Sequence, residues 1–234
     1  MELSQEVILN IIITVPIFLF SLTIHETAHA LTAKWGGDQT AAYLGRITLN
    51  PIPHIDPIGT ILLPLFGAMS DIPLIGWAKP VPVMEQNFRR GDGYGAIVAL
   101  AGPFSNLVIA ISAAIIYQVY QLIMVIFFTN QPLFRIGSFN VIDQFFFFMI
   151  LINIALMVFN LLPIPPLDGS HLLWHWVIKH HPSFHEYFFM VRQYGFFLLL
   201  ALLWTGAIQV IFMAVAFPIL SLLLTFSYLP TQLL

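Results

Sequence analysis

His25-Glu26-Thr27-Ala28-His29 is the stretch of this chain whose residue types and spacing could do chemistry. Side chains four apart on a helix stand one above the other, so imidazoles at positions 25 and 29 can share one metal ion. A carboxylate beside them can take a proton from a metal-activated water, which is the chemistry of a metal-dependent hydrolase. From Val7 to Ala33 the only formally ionisable side chains are His25, Glu26 and His29. Such groups inside an apolar span cost on the order of 3 kcal/mol each and mark a functional site by default. The structural alternative is a pair of histidines hydrogen-bonding between helices, with Glu26 as their partner. Ser21, His25, His29 and Thr32 line up as one polar stripe, which suits both readings.

Catalytic zinc takes three protein ligands, commonly two histidines and a carboxylate, and keeps one position for water. His25 and His29 supply two, and the acidic candidates near apolar segments are Asp56, Asp71, Asp143 and Asp168. Asp143 lies at the far end of its apolar stretch. Asp168 is favoured because Pro163, Pro165 and Pro166 break the helix beside it, so an unwound segment can aim its carboxylate inwards. Its other role would be an N-cap for a helix starting near Gly169.

These residues must be held by membrane helices. The 234-residue chain is 59% hydrophobic and only 8% charged, against about 25% charged in soluble domains. A mean hydropathy of +0.90 agrees. A net charge of −3 and scattered basic residues exclude a nucleic-acid partner, and the lack of cysteine excludes disulfides and thiolate chemistry. The acidic N-terminus is unlike a cleavable signal peptide, so the first apolar stretch is expected to be retained. The fold class expected is an all-α polytopic membrane protein forming one domain over 1–234. Four stretches are long enough to cross a bilayer: roughly 6–33, 94–128, 141–162 and 194–226. A fifth, roughly 57–76, is cut by prolines and glycines and is expected to be broken or re-entrant. Gln39 to Leu49 has the composition of a short β element. Lys34, Arg46, Lys79, Arg89 and Arg90 lie between the first two spans, and Lys179 and Arg192 between the last two. Positive-inside bias then puts loops 34–93 and 163–193 in the cytoplasm, with both termini outside. His25, His29 and Asp168 fall at a similar depth, towards the cytoplasmic face.

The chain resembles the site-2 protease family of intramembrane zinc metalloproteases. The resemblance rests on His25 to His29, Asn50-Pro51 with Asp56-Pro57-Ile58-Gly59-Thr60, Ala101-Gly102-Pro103-Phe104-Ser105-Asn106, and Asn160 through Asp168-Gly169. It covers roughly residues 20–172 and is nearest the compact prokaryotic branch, without PDZ or CBS domains. It implies one zinc ion per chain held by His25, His29 and Asp168, with Glu26 catalytic in a core of about 6–178. Asn160 matches an asparagine that the family places near the active site, either as an oxyanion donor or as an interhelical amide. Asn106 is similar but leans towards holding helices together. The strand near Tyr43–Thr48 is implied to present an edge to an unwound substrate.

The function expected is hydrolysis of a peptide bond in or near the transmembrane segment of a single-span substrate, at the cytoplasmic side of the cell membrane. The alternative is a catalytically silent relative that binds membrane helices or zinc. A metal transporter would call for further carboxylates or histidines in the other spans, and 94–128 and 194–226 contain none. His54 could approach the metal or the substrate, and a second metal site, a pH sensor or an interfacial loop would each explain the five histidines from His171 to His185. The oligomeric state is not legible.

Overall fold

The computed structural model describes residues 5–62, 76–91, 93–128 and 140–232. Helix α1 runs Gln5–Gly36, α2 Thr40–Tyr43, α3 Tyr94–Phe128, α4 Val141–Asn160, α5 Asp168–Trp176, α6 His185–Trp204 and α7 Ala207–Gln232. Short 3₁₀ turns and one π turn over Pro57–Leu62 fill the connections. At 1.5 Å per residue, 20 residues reach about 30 Å, the thickness of a bilayer core.

Helix α3 is the centre of the bundle and packs against α1, α4, α5 and α7. Small residues let the backbones approach, which replaces the hydrophobic drive that lipid cannot supply. Ala110, Ala113 and Ala114 of α3 meet Ile150 and Ile154 of α4 and Ala216 of α7. Helix α4 starts on a capping box: the Asn140 side chain accepts from Ile142 N and Asp143 N, and Asp143 Oδ2 accepts from Asn140 N.

The first three expected spans coincide with α1, α3 and α4. The fourth does not hold as one helix. The apolar run is divided at Thr205-Gly206, where Gly206 takes φ +75°, a conformation that ends a helix and suits only a residue without Cβ. Among the described residues, five helices, not four, are therefore long and apolar enough to cross a membrane. Arg192, expected in a loop, lies within α6.

The short β element expected over Gln39–Leu49 is also absent, and no strand occurs among the described residues. Asp38 Oδ1 accepts from the Thr40 N–H and from its hydroxyl, which starts the single turn of α2. Composition favoured a strand, but no partner strand lies alongside to form a ladder. The extended segment Trp77–Met84 bonds elsewhere: Trp77 N to Gly59 O, Lys79 N to His54 O, and Met84 N to Asp38 Oδ2. Of the expected broken element at 57–76, residues 63–75 lie outside the described part, as does Asp71.

Candidate metal centre

Two histidines one helical turn apart on α1 and the first residue of α5 meet at the face of α3. His25 Nε2 and His29 Nε2 lie 3.0 Å apart. Asp168 Oδ2 is 3.2 Å from the first and 3.4 Å from the second. His25 and His29 are buried, and Asp168 is mostly so. Asp168 is not an N-cap: Leu167 holds that position and no side chain caps the helix. The chain approaches tightly here, since a Cβ on Gly169 would lie 2.3 Å from Leu161 O and 2.4 Å from Leu162 O. Glycine lets α5 begin directly against the end of α4 and leaves the Asp168 carboxylate facing α1. On its other side α5 rests on Ala96 and Ala99 of α3 through Leu172.

The hydrogen positions on the two rings decide whether a metal fits. His29 Nδ1 is 2.7 Å from Val98 O, which can only accept, so Nδ1 carries the hydrogen and Nε2 presents a lone pair. His25 Nδ1 is 2.7 Å from Asn106 Oδ1, also an acceptor, with the same consequence. Asp168 Oδ2 is buried without a hydrogen-bond partner. Three acceptor atoms thus converge, an arrangement that buried polar groups adopt around a cation. Gly102 leaves the room: a Cβ there would stand 2.3 Å from His29 Nε2 and 2.5 Å from His25 Nε2. Among the described residues this is the only such group of three. The residues fit a metal of the zinc type.

Glu26 lies between the two histidines in sequence and is buried. Its Oε2 accepts from Val81 N at 2.8 Å, so the extended segment orients it. Asn160 is not brought to the group by any hydrogen bond; its amide donates to Leu156 O of its own helix at 2.9 Å. His54 is buried, with Nε2 donating to Thr48 O at 3.1 Å and Nδ1 unpartnered. Thr48 O also takes the Thr27 hydroxyl at 2.8 Å, which ties that loop to α1. Burial holds the His54 imidazole below its ordinary pKa, and the Arg46 charge pushes the same way, against the Thr48 carbonyl and Glu26.

The histidines of 171–185 are dispersed. His175 is buried and its Nε2 donates to Glu85 Oε1 at 3.2 Å, while His171 is exposed. His185 donates to Ile178 O and leans on Trp174, and His181 meets Phe184 edge-on. Of the groups that α3 brings to the site, the Val98 carbonyl had no signal in the sequence, whereas Gly102 and Asn106 stood in a motif of the family resemblance, Asn106 leaning there towards a helix-joining role. The three recur every fourth residue along one face of α3. Asn106 also lies within a span that is otherwise almost wholly apolar.

The model of peptidase family M50 matches residues 13–202. A Bacillus subtilis protein named "Putative zinc metalloprotease YwhC" is 40% identical over 158 residues, 66% of this chain and 64% of that protein. The similarly named Rip2 of Mycolicibacterium smegmatis is 29% identical over 195 residues, 82% of this chain and 66% of that protein. MJ0611 of Methanocaldococcus jannaschii, another so named, is 30% identical over 157 residues, 67% of this chain and 64% of that protein. The chain thus spans just under two thirds of the length of these relatives. No solved structure matches it.

Proposed function

Because the chain belongs to peptidase family M50, we propose that it is an intramembrane zinc metalloprotease, cutting a peptide bond in or near the membrane segment of a single-span protein. The observation that carries this reading is the convergence of His25 Nε2, His29 Nε2 and Asp168 Oδ2 with no hydrogen among them. His25, His29 and Asp168 would hold one zinc ion per chain. Bound there, zinc supplies Lewis-acid polarisation of the carbonyl and a water acidified to a pKa of about 7.

The chain's own groups do the rest. Glu26 Oε2 is fixed by the Val81 amide, which leaves the other carboxylate oxygen free to take a proton from water and deliver it to the leaving amine. Asn160 keeps one amide hydrogen beyond its bond to Leu156 O, and that hydrogen is available for the substrate carbonyl. His29 stands seven residues and His25 eleven from the end of α1, so the site is about 10–16 Å deep along the helix. With positive charges concentrated in 34–93, that depth is measured from the cytoplasmic face of the cell membrane. Residues about 6–178 form the catalytic core, and α6 and α7 complete the single domain.

The test uses purified wild type and Glu26→Gln, with bound zinc and cleavage of a panel of single-span substrates measured on each. Zinc retained with cleavage reduced about 10²–10⁴-fold supports the assignment. Equal cleavage by both proteins removes Glu26 as the base, and a wild type that binds zinc but cuts nothing favours the silent relative.

A further inference from the structure

Behind His25 runs a chain of buried polar side chains that none of the metal-binding residues requires by spacing. Asn106 of α3, Asn153 of α4 and Ser21 of α1 have no exposed surface at all. Asn106 Nδ2 donates to Asn153 Oδ1 at 2.9 Å. Asn153 Nδ2 donates to Ser21 Oγ at 2.9 Å and to Met149 O at 2.8 Å. The Ser21 hydroxyl donates to Ile17 O at 2.7 Å.

Only one placement of hydrogens satisfies this chain, and its two ends determine it. Met149 O and Ile17 O are backbone carbonyls and can only accept. Ser21 must therefore give its hydrogen to Ile17 O and present a lone pair to Asn153. The NH₂ of Asn153 must face Met149 O and Ser21, which turns its oxygen to Asn106. Asn106 must answer with its NH₂, which turns its own oxygen to His25 at 2.7 Å. His25 is then obliged to carry hydrogen on Nδ1 and to leave Nε2 bare towards His29 and Asp168. A flip of Asn106 would place an N–H against His25 Nδ1 and move the lone pair to the wrong side of the ring, and a flip of Asn153 would set its NH₂ against that of Asn106.

We propose that Asn106 and Asn153 are positioning residues for the metal centre: a relay from the Ile17 and Met149 carbonyls through Ser21, Asn153 and Asn106 sets the tautomer and ring plane of His25. The inference rests on the metal-centre reading above but not on proteolysis. Partners that orient a ligating histidine ordinarily matter 10–100-fold in metal affinity. Asn153 touches neither histidine nor carboxylate, yet it inherits part of that effect because it alone decides which way Asn106 faces.

The experiment is zinc affinity by chelator competition, together with the visible spectrum of the cobalt-substituted protein. Both are read on wild type, Asn106→Leu, Asn106→Asp and Asn153→Leu in detergent, with thermal melting alongside. Expected are a 10–100-fold fall in affinity with an altered cobalt spectrum for Asn106→Leu, and about tenfold for Asn153→Leu. Asn106→Asp still offers an oxygen to His25 Nδ1–H and should stay within about threefold of wild type. Residues that merely join helices would lower the melting temperature in all three variants and leave affinity and spectrum unchanged; that result overturns the proposal. So does a loss in Asn106→Asp as large as in Asn106→Leu. If the leucine variants do not fold, Ser21→Ala decides: a fall of about threefold, the net worth of one hydrogen bond, supports the relay, and unchanged affinity refutes it. Failure of wild type itself to bind zinc or cobalt would instead overturn the metal-centre reading.

Discussion

Replacing Gly102 by alanine adds one methyl group where the two imidazoles converge. A Cβ at that position lies 2.3 Å from His29 Nε2 and 2.5 Å from His25 Nε2 and Cε1. Non-bonded heavy atoms settle at about 3.5 Å, so the rings or the helix must retreat by roughly 1 Å. Neither ring is free to do so, because each Nδ1 is tied at 2.7 Å, one to Val98 O and the other to Asn106 Oδ1. Both tethers lie on α3 itself, so moving the helix drags the rings along. Ligand distances in metal sites tolerate about 0.2 Å, and a 1 Å displacement should lower zinc affinity and cleavage by about 100-fold or more. The fold bears a smaller load: alanine is about 1 kcal/mol better than glycine in a helix, against about 1–3 kcal/mol for overpacking. Zinc content and chelator competition on purified Gly102→Ala, beside its melting curve, read both effects. A folded variant with wild-type zinc affinity would refute the claim that the Cα face of Gly102 bounds the ion's position.

Asp168→Ala should lose zinc while His25 and His29 stay in place, because two neutral imidazoles alone leave the site short of a ligand and of charge; full occupancy by metal analysis removes Asp168 as a ligand. Burial holds His54 below its ordinary pKa in the fold, whereas an exposed histidine protonates near pH 6.5. The unfolded state therefore binds more protons, and stability should fall as pH drops below about 6.5. His54→Gln keeps a donor for Thr48 O and should flatten that slope between pH 7 and 5.5 in thermal melts; an unchanged slope refutes the assignment. Gly206→Ala forces a side chain into the left-handed region and should cost about 1–2 kcal/mol without changing zinc affinity; a loss of zinc there would mean that the α6–α7 turn reaches the site.

What the sequence determined by itself was local. His25 and His29 share a helix face because four residues are close to one turn, and that holds wherever the helix sits. The cost of ionisable groups in hydrocarbon marked the same residues as functional, and the lengths of the first three apolar runs were enough to identify α1, α3 and α4. Asp168 entered as a candidate from the helix-breaking prolines beside it, and from the family resemblance. The errors were also local in origin. Hydropathy runs smoothly across Thr205-Gly206, so a single φ of +75° that splits two helices left no mark in it. Strand-like composition at Gln39–Leu49 had no partner to pair with, and Asp38 started a helical turn there instead.

Tertiary structure alone decided what surrounds the candidate ligands. That Asp168 Oδ2 meets both imidazoles depends on α5 docking against α3 through Ala96, Ala99 and Leu172. The Val98 carbonyl has no sequence signature at all, and Gly102 looks like any helical glycine until the distance to the histidines is known. Asn106 stood out as a polar residue in an apolar helix and Asn153 was not singled out, and the direction of neither amide could be read. A hydrogen bond between residues 47 apart is fixed by where two helices cross, and no periodicity within either helix carries that information.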